Sequence, residues 1–279
     1  MKPNKQTTPD FWDEYRGVIR TRRGGWVIGQ GVHSHGYSLL DELVGTASFF
    51  QVMMLNVTGR LPELRLAKWL EATYICLSWP DPRIWCNQIG SLGGTVRTSP
   101  VAAICAGTLA ADSSLYGQGT SLNVIRFITL ALDKTKKGQS IEQIVDAQRK
   151  GLGQSINIPG YARPIAKGDE RVTAMERVTD ALGFPIGDHL KLAYDIDAYI
   201  DEKYNERMNL AAYMSAFLLD QNFSANEIYR MCSLLVNGGI HACYAEAADR
   251  PSECFLPLQC EDIDYCGQPE RQLPQADTE

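Results

Sequence analysis

The sequence contains no run of about 18 apolar residues, so no membrane span is predicted. Its opening residues, Met1-Lys2-Pro3-Asn4-Lys5, are polar and lack the apolar stretch of a secretion signal, which points to a cytoplasmic protein. None of the eight cysteines forms a Cys-x-x-Cys pair, and most lie in apolar stretches of helical spacing, so reduced core thiols are expected. Histidine is scarce at four residues, and no two are spaced His-x-x-x-His. Only His33 and His35 offer paired metal ligands, against the plainer reading of a polar loop, and no metal is expected. There is no Gly-x-Gly-x-x-Gly, P-loop, Gly-x-Ser-x-Gly or His-Glu-x-x-His, so dinucleotide, triphosphate, serine-hydrolase and zinc-protease chemistries find no support. Basic charge is thin: 27 Lys and Arg against 33 Asp and Glu give a net charge of −6. The clusters at Arg20-Thr21-Arg22-Arg23 and Lys134-Thr135-Lys136-Lys137 are short, and no basic stripe suits nucleic acid. They read as solvated surface or as a seat for a phosphate-bearing ligand.

What is present is ordinary globular material: 279 residues, 44% hydrophobic and 22% charged, enough for one large core or two unequal lobes. Only the first nine residues and the polar end after Leu273 read as disordered. Gly24 to Val32 mixes glycine with β-formers and predicts a short hairpin or loop, not a helix. From Leu39 the period turns helical, through Leu43, Phe49, Phe50, Met53, Met54 and Val57. Thr58-Gly59-Arg60-Leu61-Pro62 ends that helix, and Pro62 is expected to open the next, which runs up to Trp79-Pro80. Ser99-Pro100 starts a helix so rich in small residues that deep burial is expected. Further helices are predicted over 122–133, 140–150, 171–182, 188–202, 208–219 and 224–247, the last opened by the capping box Ser224…Glu227. Two Gly/Pro-rich stretches, 151–168 and 251–274, are long enough for functional loops.

Two motifs carry possible chemistry. In Pro159-Gly160-Tyr161-Ala162-Arg163-Pro164-Ile165-Ala166-Lys167-Gly168-Asp169-Glu170-Arg171, a rigid turn presents Arg163, Lys167 and Arg171. Guanidinium forks suit carboxylates and phosphates; the alternative is a turn into a helix capped by Asp169, with surface ion pairs. In Leu115-Tyr116-Gly117-Gln118-Gly119-Thr120, a Gly-x-Gly turn precedes a helix and either offers N–H groups to an anion or merely separates two helices.

Taken in order, these segments resemble one family. Gly31 to Leu43, with Gly36-Tyr37 before Asp41-Glu42-Leu43, looks like the early signature of the citrate synthase superfamily. Ala47 to Pro62 is similar to its next helix, which ends Gly-x-Leu-Pro. Gly107 to Gly117 matches in length the segment ending Gly-Pro-Leu-His-Gly. The Pro159–Arg171 stretch resembles Pro-Gly-Phe-Gly-His-x-x-x-x-x-Asp-Pro-Arg, and Asp264-Tyr265-Cys266-Gly267 lies near the family's terminal Tyr-x-Gly. The resemblance spans roughly residues 29 to 274, and the short chain looks more like citryl-CoA lyase-type members than full citrate synthases. It implies an all-α fold with a large helical lobe (1–117 and 216–279) and a smaller one (118–215), usually as a homodimer. It also implies a coenzyme A thioester as substrate, with no cofactor bound, and a carboxylic acid as its partner.

The family's reacting positions are substituted. The resemblance puts Tyr116 at the first histidine, Arg163 at the second and Ala211, after Asn209-Leu210, at the aspartate that serves as base. Losing a positioned base costs about 10²–10⁴ in rate, which argues against ordinary citrate synthesis. Arg171 matches the carboxylate-holding arginine, and His35, Lys167, Gly117 and Asn209 are expected to bind substrate alongside it. The family's terminal Arg-Pro is not evident around Pro257 to Asp262. Two functions remain open: an enzyme making or breaking a C–C bond α to an acyl-CoA thioester, with a partner other than or in addition to oxaloacetate, or an inactive binding and regulatory subunit.

Overall fold

Glycine and β-formers at the start of the chain fold as their alternation predicts. The computed structural model describes residues 9–148, 158–163, 166–254 and 259–273. After a short helix α1 (Pro9–Asp13), strands β1 (Gly24–Val27), β2 (Gly31–Ser34) and β3 (Tyr37–Ser38) form an antiparallel sheet in that order. Trp26 faces Val32 across the first pair, and His33 faces Ser38 across the second. A single π-helical turn over Leu39–Leu43 follows, capped by Ser38.

Beyond it the regular structure of the described residues is helical. Helix α2 (Phe49–Thr58) has a capping box between Ser48 and Gln51 and stops at Gly59, whose φ of 80° closes the left-handed cap. Helix α3 (Leu64–Leu77) begins two residues after Pro62, with Glu63 as N-cap, so the proline precedes the helix and does not open it. Helix α4 (Trp85–Thr95) was not expected from the sequence. Its glycines disguise it, yet they are contact points and not breaks. A Cβ on Gly90 would stand 2.7 Å from the Ile240 carbonyl oxygen, one on Gly93 2.5 Å from the Ala103 Cβ, and one on Gly94 2.5 Å from the Tyr244 carbonyl oxygen. Close backbone approach is the reason a strong helix breaker is tolerated here.

Helix α5 (Pro100–Ala111) is capped by Ser99, as expected, but it is not deeply buried. Only Ala103, Gly107 and Ala111 are covered, while Val101 is 71% and Leu109 77% exposed. Small residues fit one face against α4 and leave the other apolar face outward. Helices α6 (Gln118–Lys136), α7 (Ile141–Asp146), α8 (Glu170–Ala181), α9 (Asp188–Tyr204) and α10 (Leu210–Asp220) follow. The helix predicted to reach residue 150 stops at Asp146 and turns at Ala147 and Gln148, while residues 149–150 and parts of both Gly/Pro-rich loops lie outside the described residues.

The helix predicted over 224–247 is two: α11 (Ala225–Cys232) and α12 (Asn237–Asp249). The chain turns at 233–236, with Leu235 fully buried at the bend. Gly238 and Gly239 then let α12 approach Ser78 and Trp79, where a Cβ would meet atoms 2.7 Å away. A short 3-10 turn, Cys260–Asp262, ends the regular structure.

The main core joins α2, α3 and α6 to α11. Trp69 stacks on Phe217 at 3.9 Å between centroids and donates its indole N–H to Thr179, which also bonds the Tyr213 hydroxyl at 2.8 Å. Such stacking adds about 1 kcal/mol beyond area burial. A second small cluster, Cys86, Ala111 and Ile240, holds α4, α5 and α12 together. All eight cysteines are free thiols, but Cys105, Cys254, Cys260 and Cys266 are exposed, so the expectation of core thiols holds for only part of the set. Among the described residues no helix is long and apolar enough to cross a membrane.

Candidate active site

Two helix N-termini meet over one buried carboxylate. Asp169 is the N-cap of α8 and accepts from the Arg171 amide at 3.1 Å. Its side chain, wholly covered, also takes a two-pronged grip from the Arg171 guanidinium at 2.7 Å per bond, and accepts from the Leu210 amide of α10 at 2.9 Å. Burial pushes the Asp169 carboxyl up, but Arg171 and the two amides together hold it below its ordinary value. The sequence shows Asp169 as a cap; its bond across to α10 is a tertiary contact that no spacing announces.

Asn209 caps α10, accepting from Ala211 at 3.0 Å and Ala212 at 3.4 Å. It also ties the Pro-Gly turn down: its side chain donates to the Ala162 carbonyl at 2.9 Å and its backbone N–H to that of Gly160 at 2.8 Å. Gly160 has φ +91° and sits so close to α10 that a Cβ would lie 2.7 Å from the Ala212 Cβ. Buried Tyr161 anchors the turn from below, donating to the Ala193 carbonyl of α9 at 3.1 Å and packing edge-on against Phe127 of α6. Arg163, Arg171, Asn209 and Ala211 are therefore gathered around the starts of α8 and α10.

Arg163 does not point at open solvent. Its guanidinium donates to both carboxylate oxygens of Glu170, through a short bond from Nη1 and one of 3.2 Å from Nη2, with Asp169 3.6 Å away. The Arg163 guanidinium holds the Glu170 carboxyl below its ordinary range. Two cations and two carboxylates thus cancel. Glu170 stands where the resembled motif has proline; that departure was visible in the sequence, though its pairing with Arg163 was not.

Tyr116 occupies a different stretch. It lies on the tight loop closed by the bridge between Asp112 and Gly117, with its amide on the Ser113 hydroxyl, and is 49% exposed beside Trp85. Gly117 requires its φ of 76°, and a Cβ there would strike the Ala111 carbonyl at 2.2 Å. This loop feeds α6, whose N-terminus has no capping side chain, and Val124 of α6 underlies Gly160 at 3.2 Å from its would-be Cβ. At 1.5 Å per residue, the start of α6 is about 9 Å along the axis from that contact. No hydrogen bond joins Tyr116 to Arg163 among the described residues.

Lys167 turns toward the end of α9, to Asp201 at 2.7 Å and Asn205 at 2.5 Å. His35 lies at the end of α2, with its ring 3.5 Å from an Arg23 Nη1 and beside Gly59, while His33 reaches the Gln30 carbonyl. Neither histidine belongs to a cluster fit for a metal among the described residues.

No protein-family model matches the chain, and no curated protein matches it in sequence. Its fold does match. Citryl-CoA lyase from Hydrogenobacter thermophilus superposes with a TM-score of 0.76 at 25% identity, over 92% of this chain and 98% of that one. The chain's fold is that of the citrate synthase superfamily. Within that superfamily the chain is also similar to ATP citrate lyase from Methanothrix soehngenii, whose structure holds citrate and coenzyme A, with a TM-score of 0.74 at 19% identity. That match covers 96% of this chain but 46% of the larger one, so this chain spans just under half of it. Citrate synthase from Thermoplasma acidophilum is more distant: TM-score 0.58, 12% identity, over 83% of this chain and 60% of that one.

Proposed function

We propose that this chain is an enzyme that cleaves or forms a C–C bond α to a coenzyme A thioester, with a carboxylate-bearing co-substrate. The supporting observation is the end-to-end likeness to citryl-CoA lyase, against only partial likeness to citrate synthase. Cleavage also suits the substitutions. The bond to the α-carbon breaks, its electron pair passes into the thioester as an enolate, the carbinol oxygen becomes a carbonyl as its proton passes to water, and the α-carbon takes up a proton from solvent. That enolate forms without a base drawing a proton from a methyl group, so Ala211 is no obstacle to it. In this reading Tyr116 donates a hydrogen bond to the enolate oxygen, an interaction worth about 10²–10³ in rate at comparable sites. Arg171 and Arg163 hold carboxylates.

A second copy completes the reading. Helix α5 carries no charged residue and its outward face is apolar, and Leu92 of α4 and Val96 just after that helix are exposed as well. A two-fold related copy presents the same patch and covers it.

Two observations favour a binding subunit instead: Ala211 cannot move a proton, and Glu170 neutralises Arg163. Acyl-CoA and keto-acid pairs incubated with the pure protein and read by mass spectrometry, beside calorimetry with coenzyme A thioesters, separate the two. Turnover supports the enzyme; tight binding with no turnover on any pair supports the subunit.

A further inference from the structure

Arg163 and Glu170 differ sharply in exposure. The Arg163 side chain is 9% exposed and the Glu170 side chain 68%, so the carboxylate lies over the cation and faces solvent. It occupies the guanidinium as a bidentate ligand would, on both terminal nitrogens. Asp169 cannot stand in for it, being fixed by Arg171 and two amides. Glu170, in contrast, is held besides Arg163 only by its own backbone N–H among the described residues. Beside it lies a cavity of about 230 Å³, lined by Glu170 itself and by Thr173, Glu176, Tyr194 and Arg207. Thr173 is one turn along α8, and Arg207, half open to solvent, is already paired with Asp197 and Asp201, so the displaced carboxylate goes to the Thr173 hydroxyl and to solvent at the cavity mouth.

We propose that Glu170 is a built-in surrogate ligand, filling the Arg163 fork until a substrate carboxylate displaces it into the neighbouring cavity. The inference rests on the reading of this site as a carboxylate site. It makes Glu170 a specificity-determining residue. A tethered carboxylate competes at an effective concentration of the order of millimolar. A lone carboxylate gains too little to win. A di- or tricarboxylate that also reaches Arg171 gains a second grip and does win.

Calorimetry of citrate binding to the full chain tests this, with citrate trimethyl ester as uncharged control. Glu170→Gln, and Glu170→Ala as a second variant, are expected to bind citrate about tenfold more tightly than the wild type, with no change for the ester. In Arg163→Gln/Glu170→Gln that gain over Arg163→Gln is expected to vanish. A gain that persists without Arg163 would be a general field effect and would overturn the proposal. So would unchanged or weaker citrate binding in both Glu170 variants, or no detectable citrate binding by any of the proteins. The readout is binding alone, so absence of turnover on thioesters would count against the enzyme reading and leave this result to stand or fall by itself.

Discussion

At the scale of single residues, Asp169 carries the most structure, because one carboxylate serves a guanidinium and two helix starts. Asp169→Asn leaves Arg171 without its partner in a half-covered position and is expected to cost about 3 kcal/mol at neutral pH. The pH dependence follows from the lowered carboxyl. Since its folded value lies below the ordinary 3.8, its stabilisation is complete above that value and lost as pH falls through the folded one. Urea unfolding of wild type and Asp169→Asn should therefore show a wide gap at pH 7 that closes in acid below pH ~4. A gap that stayed constant into acid would remove the ion pair from the account. Legibility at this scale was uneven. Asp169 and Ser224 declare themselves as caps because capping is local. Glu170 on Arg163 is invisible because the two lie seven positions apart with no helical or strand period linking them.

At the scale of elements, periodicity found helices that present one apolar stripe and failed where backbone packs on backbone. Helix α4 shows why. Gly90, Gly93 and Gly94 read as breakers, yet each faces a neighbouring helix too near for a side chain. Replacing Gly94 by alanine gains up to about 1 kcal/mol of helix propensity. It also drives a methyl to 2.5 Å from the Tyr244 carbonyl and 2.9 Å from the Ala248 amide, atoms that cannot swing aside. Overpacking of that kind costs about 1–3 kcal/mol, so the clash wins. Gly94→Ala is expected to lower the unfolding midpoint in urea; a rise would mean that α4 and α12 do not pack as described. Helix α5 failed in the opposite sense. Its uniform apolarity predicts burial within one chain, but a single chain buries one side only. The break between α11 and α12 was missed because both halves keep helical spacing and only the turn that brings α12 onto α4 separates them.

For the whole molecule, the all-helical architecture and its superfamily were legible because the matching motifs run in order along most of the chain. The convergence around α8 and α10 was not, since it depends on Gly160 nesting against Ala212 and on Asn209 holding the turn. The outward face of α5 bears on assembly. Leu109→Glu places a charge in the proposed interface between copies, and sedimentation is expected to show a dimer for the wild type and a monomer for the variant. A variant that sediments with the wild type would put the interface elsewhere.

Chemistry α to a thioester is tested most directly by incubating the protein with citryl-CoA in deuterated water and following the products by mass spectrometry. The account predicts oxaloacetate and acetyl-CoA in equal amounts, the acetyl group carrying one deuterium where the enolate was quenched. Citryl-CoA that is bound yet recovered whole, or hydrolysed to citrate and free coenzyme A, would contradict it.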